Sequence, residues 1–261
     1  MRRDDASPAM RDEGRGLPVL ALHSLGGSLS MWDGFARSAL PDMRLIRFDA
    51  RLHGTCALPG PFDIARNAQD AIDVLDTLGI ERAVVMGISM GGHTAMQVAI
   101  SHPHRVRALV LANTSAGGTA PEVAAQRLEG IRAQIRELGF SAFAEQYVRS
   151  RLAPDVDSDV GAAYRLDVEN SGANAYVQTL ASILRQDFRS QVASIAAPTL
   201  VVCGELDAST PPAAGAVLAN GIPRARLVTL AGAGHFSCLD QPGAFNKAVL
   251  EFLDAVQREE T

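Results

Sequence analysis

The chain of 261 residues has little of what several classes of catalytic or metal site require. Lys247 is the only lysine and lies on a predicted C-terminal helix, which argues against a lysine nucleophile or Schiff base. The three cysteines, Cys56, Cys203 and Cys238, form neither a C-x-x-C pair nor a cluster with the spacing of zinc ligands. We therefore expect three reduced thiols and no metal site.

Long apolar runs and a strong charge of one sign are absent as well. No stretch approaches the ~18 apolar residues of a membrane span, and the polar N-terminal segment has no apolar region typical of a signal peptide. The net charge of −5 gives no reason to expect a nucleic-acid or anionic-membrane partner. We therefore expect a soluble, cytoplasmic protein. G-x-G-x-x-G and Walker patterns are missing as well, so we expect a small-molecule partner and no cofactor.

What the sequence contains is a regular alternation of strand and helix patterns. A continuous apolar run at 18–22 is typical of a strand buried on both faces of a parallel sheet, and further predicted strands lie at 45–48, 83–86, 106–111, 199–203 and 226–230. Helical patterns lie at 63–78, 90–101 and 244–257, and Asp63 and Gly79 suit the N-cap and the position after the C-terminus of the first. This order predicts an α/β fold with a mostly parallel, doubly wound sheet.

A different pattern fills residues 117–189, where no strand is predicted and several amphipathic helices follow one another. We expect a helical lid there, inserted into a core of residues 1–116 and 190–261 and roofing a pocket at the carboxyl ends of the strands. A fixed helical layer that never moves fits the same pattern. Only residues from Pro8 to Arg11 could add an antiparallel strand before the parallel ones, so we expect a shortened N-terminal sheet edge.

A candidate nucleophile lies in Gly87-Ile88-Ser89-Met90-Gly91, directly between a predicted strand and a predicted helix. In such a turn the serine is held in a strained conformation with its oxygen exposed, and the glycines let the strand and helix approach closely. A glycine-rich turn without a catalytic role has the same short pattern. The flanking elements and the order of the candidate partners favour Ser89 as a nucleophile.

A serine nucleophile needs a base, and His235 is the best placed of the six histidines because it follows the last predicted strand in a glycine-rich turn. Asp207 follows the penultimate strand and can orient the imidazole, with Glu205 as its rival. The order Ser89, Asp207, His235 is the one expected for a triad on this fold. Packing, capping or backbone hydrogen bonding is expected for the other histidines considered, which are His53, His93, His102 and His104.

Acyl transfer also needs two N–H donors that converge on the developing oxyanion. The backbone N–H of Met90, directly after the candidate nucleophile, is expected to be one of them. The other is expected from Leu25, in the loop His23-Ser24-Leu25-Gly26-Gly27 that follows the first parallel strand. A plain glycine turn is the alternative interpretation of this loop.

Several segments together carry a family resemblance: Ser24-Leu25-Gly26, Met31-Trp32-Asp33, Arg47-Phe48-Asp49-Ala50-Arg51, Leu78-Gly79-Ile80-Glu81-Arg82, Gly87-Ile88-Ser89-Met90-Gly91-Gly92, Ala197-Pro198-Thr199-Leu200-Val201, Gly204-Glu205-Leu206-Asp207 and Gly234-His235. With these segments the chain resembles the 3-oxoadipate enol-lactonases of the α/β-hydrolase superfamily over residues 17–115 and 190–255. It departs from them at Leu52, where the family has a glycine, and in the lid, which contains no tryptophan.

The resemblance implies that Ser89 attacks the carbonyl carbon of a lactone or small ester and that water hydrolyses the resulting acyl-enzyme. The aromatic residues expected to line the substrate pocket are Trp32, Phe140, Phe143, Tyr147 and Phe236. A carboxylate on the substrate would need cationic partners, for which the available arginines are Arg132, Arg136, Arg149, Arg151 and Arg185.

Three alternatives remain open at this point. The same residues would serve another carboxylesterase, a thioesterase or a carbon–carbon bond hydrolase. A ligand-binding protein with a hydrolase-like pocket and little turnover would also share them. Cofactor-free perhydrolysis would use them as a side activity.

Overall fold

A single mostly parallel sheet runs through the protein, for which the computed structural model describes residues 9–259. Its strands are β1 Met10–Gly14, β2 Leu17–Leu22, β3 Met43–Phe48, β4 Ala83–Ile88, β5 Val106–Ala112, β6 Thr199–Gly204 and β7 Ala225–Leu230. Their spatial order is β1-β3-β2-β4-β5-β6-β7, and every neighbouring pair is parallel except β1 with β3. The predicted α/β fold class is confirmed.

Helices cover both faces of this sheet. They are α1 Asp33–Ala39, α2 Ile64–Thr77, α3 Met90–Ser101, α4 Pro121–Leu138, α5 Phe140–Arg149, α6 Ser158–Ser171, α7 Ala173–Leu184, α8 Pro212–Gly221, α9 Ser237–Asp240 and α10 Pro242–Glu259. The predicted caps of α2 are confirmed, since the Asp63 side chain accepts from the Ala65 N–H at 2.9 Å and Gly79 has a φ of +64°. Within residues 9–259, no helix combines the length and apolar character needed to cross a membrane.

The N-terminal edge of the sheet is a single antiparallel strand in the described residues. Strand β1 begins at Met10 and ends at Gly14, so the expected fragment at residues 8–11 is corrected; Pro8 lies outside the described residues. The strand carries charged side chains in place of an apolar pattern, because it lies at the exposed sheet edge. Its Asp12 forms a bidentate ion pair with Arg44 of β3, at 2.8 and 2.9 Å.

Burial differs sharply between the central and outer strands. All six residues of β4 and all six of β6 are buried, whereas β7 at the far edge buries only its last residue fully. The apolar runs at 83–86 and 199–203 therefore correspond to buried parallel strands, whereas the run at 226–230 forms the edge strand β7. Because these strands are parallel, the loops that follow β2, β4, β5, β6 and β7 all emerge at the end of the sheet where the carboxyl ends of the strands lie.

Helices α4 to α7 form a layer between β5 and β6 in the chain. The segment leaves and returns at one place, where Gly117 pairs with Asp187 in an isolated bridge. Two further backbone hydrogen bonds close this base, from Gly118 N to Gln186 O at 2.8 Å and from Phe188 N to Ala116 O at 2.7 Å. Residues 117–189 are thus the segment predicted as a lid, and the name lid is kept for them without implying that they move.

A buried ion pair braces the turn after β3. Arg51 donates through Nε and an η nitrogen to both carboxylate oxygens of Asp70 on α2, at 2.7 and 2.8 Å. The two side chains are 9% and 5% exposed. In this turn Leu52 has a φ of +66°, a left-handed conformation that costs a side chain with a Cβ about 1–3 kcal/mol.

We expect Asp70→Ala to lower the free energy of unfolding by about 3–5 kcal/mol, because it leaves the Arg51 charge buried without its partner. Asp12→Ala removes a carboxylate from the equally bidentate but exposed pair with Arg44, and should cost less than about 1 kcal/mol. Urea unfolding followed by circular dichroism measures both. Equal losses would contradict the importance of burial for this pair.

Candidate active site

Ser89 lies at a sharp turn between β4 and α3, with φ +53° and ψ −113°. The turn requires glycine on both sides, because a Cβ on Gly87 would lie 2.1 Å from the Gly91 carbonyl oxygen and one on Gly91 would lie 2.1 Å from the Leu22 carbonyl oxygen. The strained backbone is held by a hydrogen bond from Ser89 N to Ala112 O at 2.9 Å. The conformation directs the hydroxyl away from the sheet and into the cavity described below.

The His235 side chain contacts this hydroxyl at the carboxyl ends of the strands. The His235 Nε2 atom lies 2.9 Å from Ser89 Oγ, and Nδ1 lies 2.9 Å from Asp207 Oδ2. An ionised carboxylate can only accept, so Nδ1–H donates to Asp207 and Nε2 is left to accept from the serine hydroxyl. The three side chains therefore form one continuous chain of hydrogen bonds.

The Asp207 carboxylate is buried at the end of β6 and fully hydrogen-bonded. Its Oδ1 accepts from the backbone N–H groups of Ser209 and Thr210, at 2.8 and 3.0 Å. Its Oδ2 accepts from the Thr210 hydroxyl at 2.7 Å, from Asn113 Nδ2 at 3.0 Å and from His235. Burial alone would raise the pKa of Asp207, but these hydrogen bonds and the neighbouring imidazole lower it below its ordinary value.

Asn113 is a site residue that the sequence analysis missed. It follows β5 with a φ of +44°, is completely buried, and donates from Nδ2 to both Asp207 Oδ2 and the Gly234 carbonyl oxygen at 3.0 Å. Its Oδ1 accepts from the Ser237 hydroxyl. One amide thus ties the acid loop to the histidine loop. The available signal was a polar residue directly after a mostly apolar strand.

The rival acid, Glu205, is turned away from the imidazole. Its carboxylate is exposed and accepts from the Gly232 N–H at 2.9 Å. Asp207, two residues further along the chain, is the carboxylate that contacts His235.

The two residues expected to bind an oxyanion, Leu25 and Met90, are close to Ser89 in the cavity lining and in sequence, respectively. Met90 follows Ser89 as the first residue of α3, and Leu25 lines the same cavity as Ser89. In the described part of the chain, neither N–H donates to a protein acceptor. Both donors thus remain available to a ligand, and the positive end of the α3 dipole adds to them.

A cavity of about 170 Å³ opens above Ser89 and His235, between the sheet edge and the lid. Its apolar wall is formed by Leu25, Ile131, Leu180, Ile183 and Leu184. Hydroxyl groups line it at Thr114, Ser115, Thr119, Tyr147, Tyr176, Ser209 and Thr210. Two arginines, Arg127 and Arg151, complete the lining on the lid side.

Of the five aromatic residues expected to line the pocket, only Tyr147 does so, and the expectation for the other four is corrected. Trp32 is buried against Phe245, with ring centroids 6.2 Å apart, and Phe236 is buried against Tyr164 at 4.5 Å. Phe140 and Phe143 pack inside the lid, where each lies near the ring of Tyr176, at 6.1 and 5.2 Å. These rings hold helices together behind the cavity wall.

The remaining charged candidates divide between the cavity and the outer surface. Of the five arginines proposed, only Arg151 lines the cavity; Arg132, Arg136 and Arg185 line a groove on the outside of the lid, and Arg149 lines another. Arg127 was missed, because its place on α4 gave no indication of which side faced the cavity.

Among the histidines, His93 also reaches the cavity. Burial lowers its pKa to about 4, which keeps the ring neutral near pH 7. His53 donates from Nδ1 to the Arg51 carbonyl oxygen at 2.9 Å, as a backbone-bonding histidine should. Across residues 9–259, no three His, Cys, Asp or Glu side chains cluster as a metal site would need.

Comparisons with known proteins agree with this architecture. A family model described as alpha/beta hydrolase fold matches residues 18–242. The 3-oxoadipate enol-lactonase 2 of Acinetobacter baylyi is 33% identical over 232 residues, which cover 87% of this chain and 85% of the relative. The enol-lactonase structure from Burkholderia xenovorans LB400 has a TM-score of 0.86 at 31% identity, covering 94% of this chain and 96% of that one.

A further relative carries a different named activity. The 2-hydroxy-6-oxononadienedioate/2-hydroxy-6-oxononatrienedioate hydrolase 2 of Pseudomonas putida is 31% identical over 253 residues, which cover 90% of this chain and 87% of the relative. The relatives therefore share a fold and differ in the substrates for which they are named.

We expect Asp207→Asn to lower the free energy of unfolding by about 1.5–3 kcal/mol near neutral pH, because charge-assisted hydrogen bonds are lost. The folded carboxyl has the lower pKa, so its ionised form stabilises the fold above about pH 4, and this stabilisation is lost as the pH falls toward the folded pKa. The difference from wild type should therefore shrink between pH 5 and pH 3 in urea titrations.

The control for this titration is Asp254→Asn, which changes an exposed carboxylate on α10. It should leave the free energy of unfolding within about 0.5 kcal/mol of wild type at each pH. A difference for Asp207→Asn that stays constant from pH 3 to pH 7 would contradict the lowered pKa.

Proposed function

Since the chain belongs to the α/β-hydrolase fold family, we propose that it is a serine hydrolase that cleaves a small carboxylic ester or lactone through an acyl-enzyme. The observation that carries this proposal is the chain of two 2.9 Å hydrogen bonds from Ser89 through His235 to Asp207, which ends in a cavity. We further propose 3-oxoadipate enol-lactone as the candidate substrate.

In the acylation step the Ser89 oxygen attacks the carbonyl carbon while His235 Nε2 takes the hydroxyl proton. Asp207 keeps Nδ1 protonated and stabilises the imidazolium that forms. The carbonyl electrons move to the oxygen, which the N–H groups of Leu25 and Met90 bind; such donors contribute ~10²–10³ in rate each. The tetrahedral intermediate then collapses, the ring C–O bond breaks, and the leaving oxygen takes the proton from His235.

Deacylation repeats the same steps with water as the nucleophile. His235 removes a proton from a water molecule, the hydroxide adds to the acyl carbon, and Ser89 leaves with the proton that the imidazole returns. For a lactone, the leaving oxygen remains part of the acyl group, so a single hydroxy acid forms, and it is a dicarboxylate where the lactone already carries a carboxylate. If the leaving oxygen belongs to an enol, the released enol tautomerises to the ketone.

Two arginines favour a substrate that carries a negative charge. Arg127 and Arg151 line the cavity, and neither forms an ion pair with a carboxylate in the described residues. The Arg151 guanidinium instead lies 5.1 Å from the ring centroid of Tyr147. Because a guanidinium binds a carboxylate with two parallel hydrogen bonds, these side chains suit an acyl group that bears a second carboxylate.

The size of the cavity supports a small substrate. Its volume of about 170 Å³ lies below the ~300–1,000 Å³ that drug-sized ligands occupy. A compact five-membered lactone with one carboxymethyl group suits this space better than a long acyl chain. The enol-lactonases among the relatives are consistent with that choice.

Carbon–carbon bond hydrolysis is the second candidate, because the Pseudomonas putida relative is named for a dienedioate and is 31% identical. The same residues would serve this reaction, and a dienedioate also carries carboxylates. A panel of a carboxylate-bearing enol-lactone, a vinylogous keto acid, a p-nitrophenyl ester and an acyl-CoA thioester separates the candidates. We expect the highest kcat/KM on the lactone; a maximum on the keto acid would favour the second candidate.

We expect Ser89→Ala to abolish both lactone turnover and labelling by a fluorophosphonate probe, with kcat reduced by at least ~10⁴-fold. Ser101→Ala, which changes an exposed serine at the end of α3, is the matched control and should be labelled like wild type. Mass spectrometry of the labelled peptide measures labelling in both variants, and the rate of lactone hydrolysis measures turnover. Binding of the lactone by a wild-type protein that is neither labelled nor active would support the ligand-binding alternative instead.

The charge preference has its own test. Arg127→Gln and Arg151→Gln should each raise KM for the carboxylate-bearing lactone about tenfold, since each removes a charge-assisted hydrogen bond in a partly exposed site. A neutral lactone of the same ring size should keep its KM in both variants. Arg149→Gln, on the outer face of α5, is the control. Equal changes for charged and neutral lactones would exclude a carboxylate subsite at these arginines.

A further inference from the structure

We propose that Tyr164, on lid helix α6, is a positioning residue for the reaction and that its hydroxyl fixes the loop carrying the Leu25 N–H donor. The inference rests on the proposed function, because it assigns Leu25 to the oxyanion hole. It makes helix α6 of the lid a support for the reacting centre, beyond its place in the roof of the cavity.

The contact that carries the inference is short and buried. The Tyr164 hydroxyl donates to the Leu25 carbonyl oxygen at 2.7 Å, and the side chain is only 3% exposed. Burial raises the pKa of Tyr164 well above its ordinary value, so the phenol keeps its proton over the working range of pH. Tyr147 points its hydroxyl at the same carbonyl oxygen from 3.5 Å, which makes Tyr164 the principal partner.

The Leu25–Gly26 peptide group needs such a partner because the rest of the loop fixes only the peptide group before it. The Ser24 carbonyl oxygen accepts from Gly27 N at 3.0 Å and from His23 Nδ1 at 2.8 Å, whereas the Leu25 carbonyl oxygen accepts from the tyrosine hydroxyls of the lid. Gly26 has a φ of +75°, and two consecutive glycines leave the backbone more free than other residues would. A loop of this composition can carry a donor accurately only if neighbouring elements hold it.

Helix α6 provides that neighbour along one face. Tyr164, Asp167 and Val168 are spaced at i, i+3 and i+4, so their side chains project from the same side of the helix. A Cβ added to Gly26 would lie 2.8 Å from Val168 Cγ2, and one added to Gly27 would lie 3.1 Å from Tyr164 Cε2. The glycines therefore let the helix contact the loop backbone directly.

A second polar contact fixes the far end of the same loop. Asp167 Oδ2 accepts from the Ser28 hydroxyl at 2.8 Å and from the Ser30 hydroxyl at 3.3 Å. Helix α6 thus contacts the loop at Leu25 and again three to five residues later, where Asp49 Oδ1 also accepts from Leu29 N at 2.8 Å. Rotation of the Leu25–Gly26 peptide group would have to break the buried Tyr164 hydrogen bond, and it would displace the Leu25 backbone that carries the N–H donor.

Holding the loop in this way should affect the transition state more than substrate binding. An oxyanion donor must meet the position that the charged oxygen occupies in the transition state, and loss of ~1 Å in alignment costs up to ~10² in rate. The ground-state carbonyl depends much less on that donor. A weakened support should therefore lower kcat and leave KM nearly unchanged.

The test is Tyr164→Phe, which keeps the ring and removes only the hydroxyl. We expect kcat on a neutral lactone to fall about tenfold, with KM within twofold of wild type. The affinity of a boronic acid, whose tetrahedral adduct on Ser89 mimics the intermediate, should fall by a similar factor. Ser171→Ala is the matched control: it removes one hydroxyl hydrogen bond, to Val168 O at 2.7 Å, from the same helix and should change neither quantity.

Asp167→Ala is a second variant, which carries the test if Tyr164→Phe does not fold. It should lower kcat several-fold with KM unchanged, because the other end of the loop is released. Wild-type values of kcat and boronate affinity in the folded variant would overturn the inference and leave the proposed function intact. A wild-type enzyme without Ser89-dependent turnover would overturn both.

Discussion

The close approach of helix α3 to strand β2 is the constraint on which the site depends. Gly91 packs against the carbonyl oxygen of Leu22, at a distance where no side chain fits. This contact forces the left-handed turn at Ser89 and brings the first N–H groups of α3 beside the loop that follows β2. The strained backbone of Ser89 and the position of the α3 amides are therefore consequences of one packing contact.

The buried Asp207 carboxylate is the second element of this arrangement. A lone charge at this depth would be costly, but five donors surround its two oxygens, and one of them is the imidazole of His235. Because Asn113 bonds to both the acid loop and the histidine loop, the relative position of Asp207 and His235 does not depend on their own contact alone. The imidazole is thus oriented before a ligand arrives.

Much of this could be predicted from sequence because buried parallel strands are continuous apolar runs and their carboxyl ends share one edge. That rule is enough to bring Ser89, Asp207 and His235 together. It does not tell which buried aromatic ring faces a cavity, since Trp32 and Tyr147 both read simply as apolar positions. Strand β1 was misplaced for the opposite reason: its charged edge residues carry no apolar signal.

The lid is joined to the site at two separate loops, and this limits how freely it can vary. The backbone N–H of His235 donates to the Arg151 carbonyl oxygen at 2.7 Å, while Asp240 accepts from both Ala153 N and Gly234 N, at 3.1 and 2.7 Å. On the other side, Tyr164 holds the Leu25 loop. The backbone carbonyl of Arg151 thus positions the histidine loop while its side chain lines the cavity, so changes to the backbone of this segment should disturb the imidazole, whereas side-chain substitutions keep that contact.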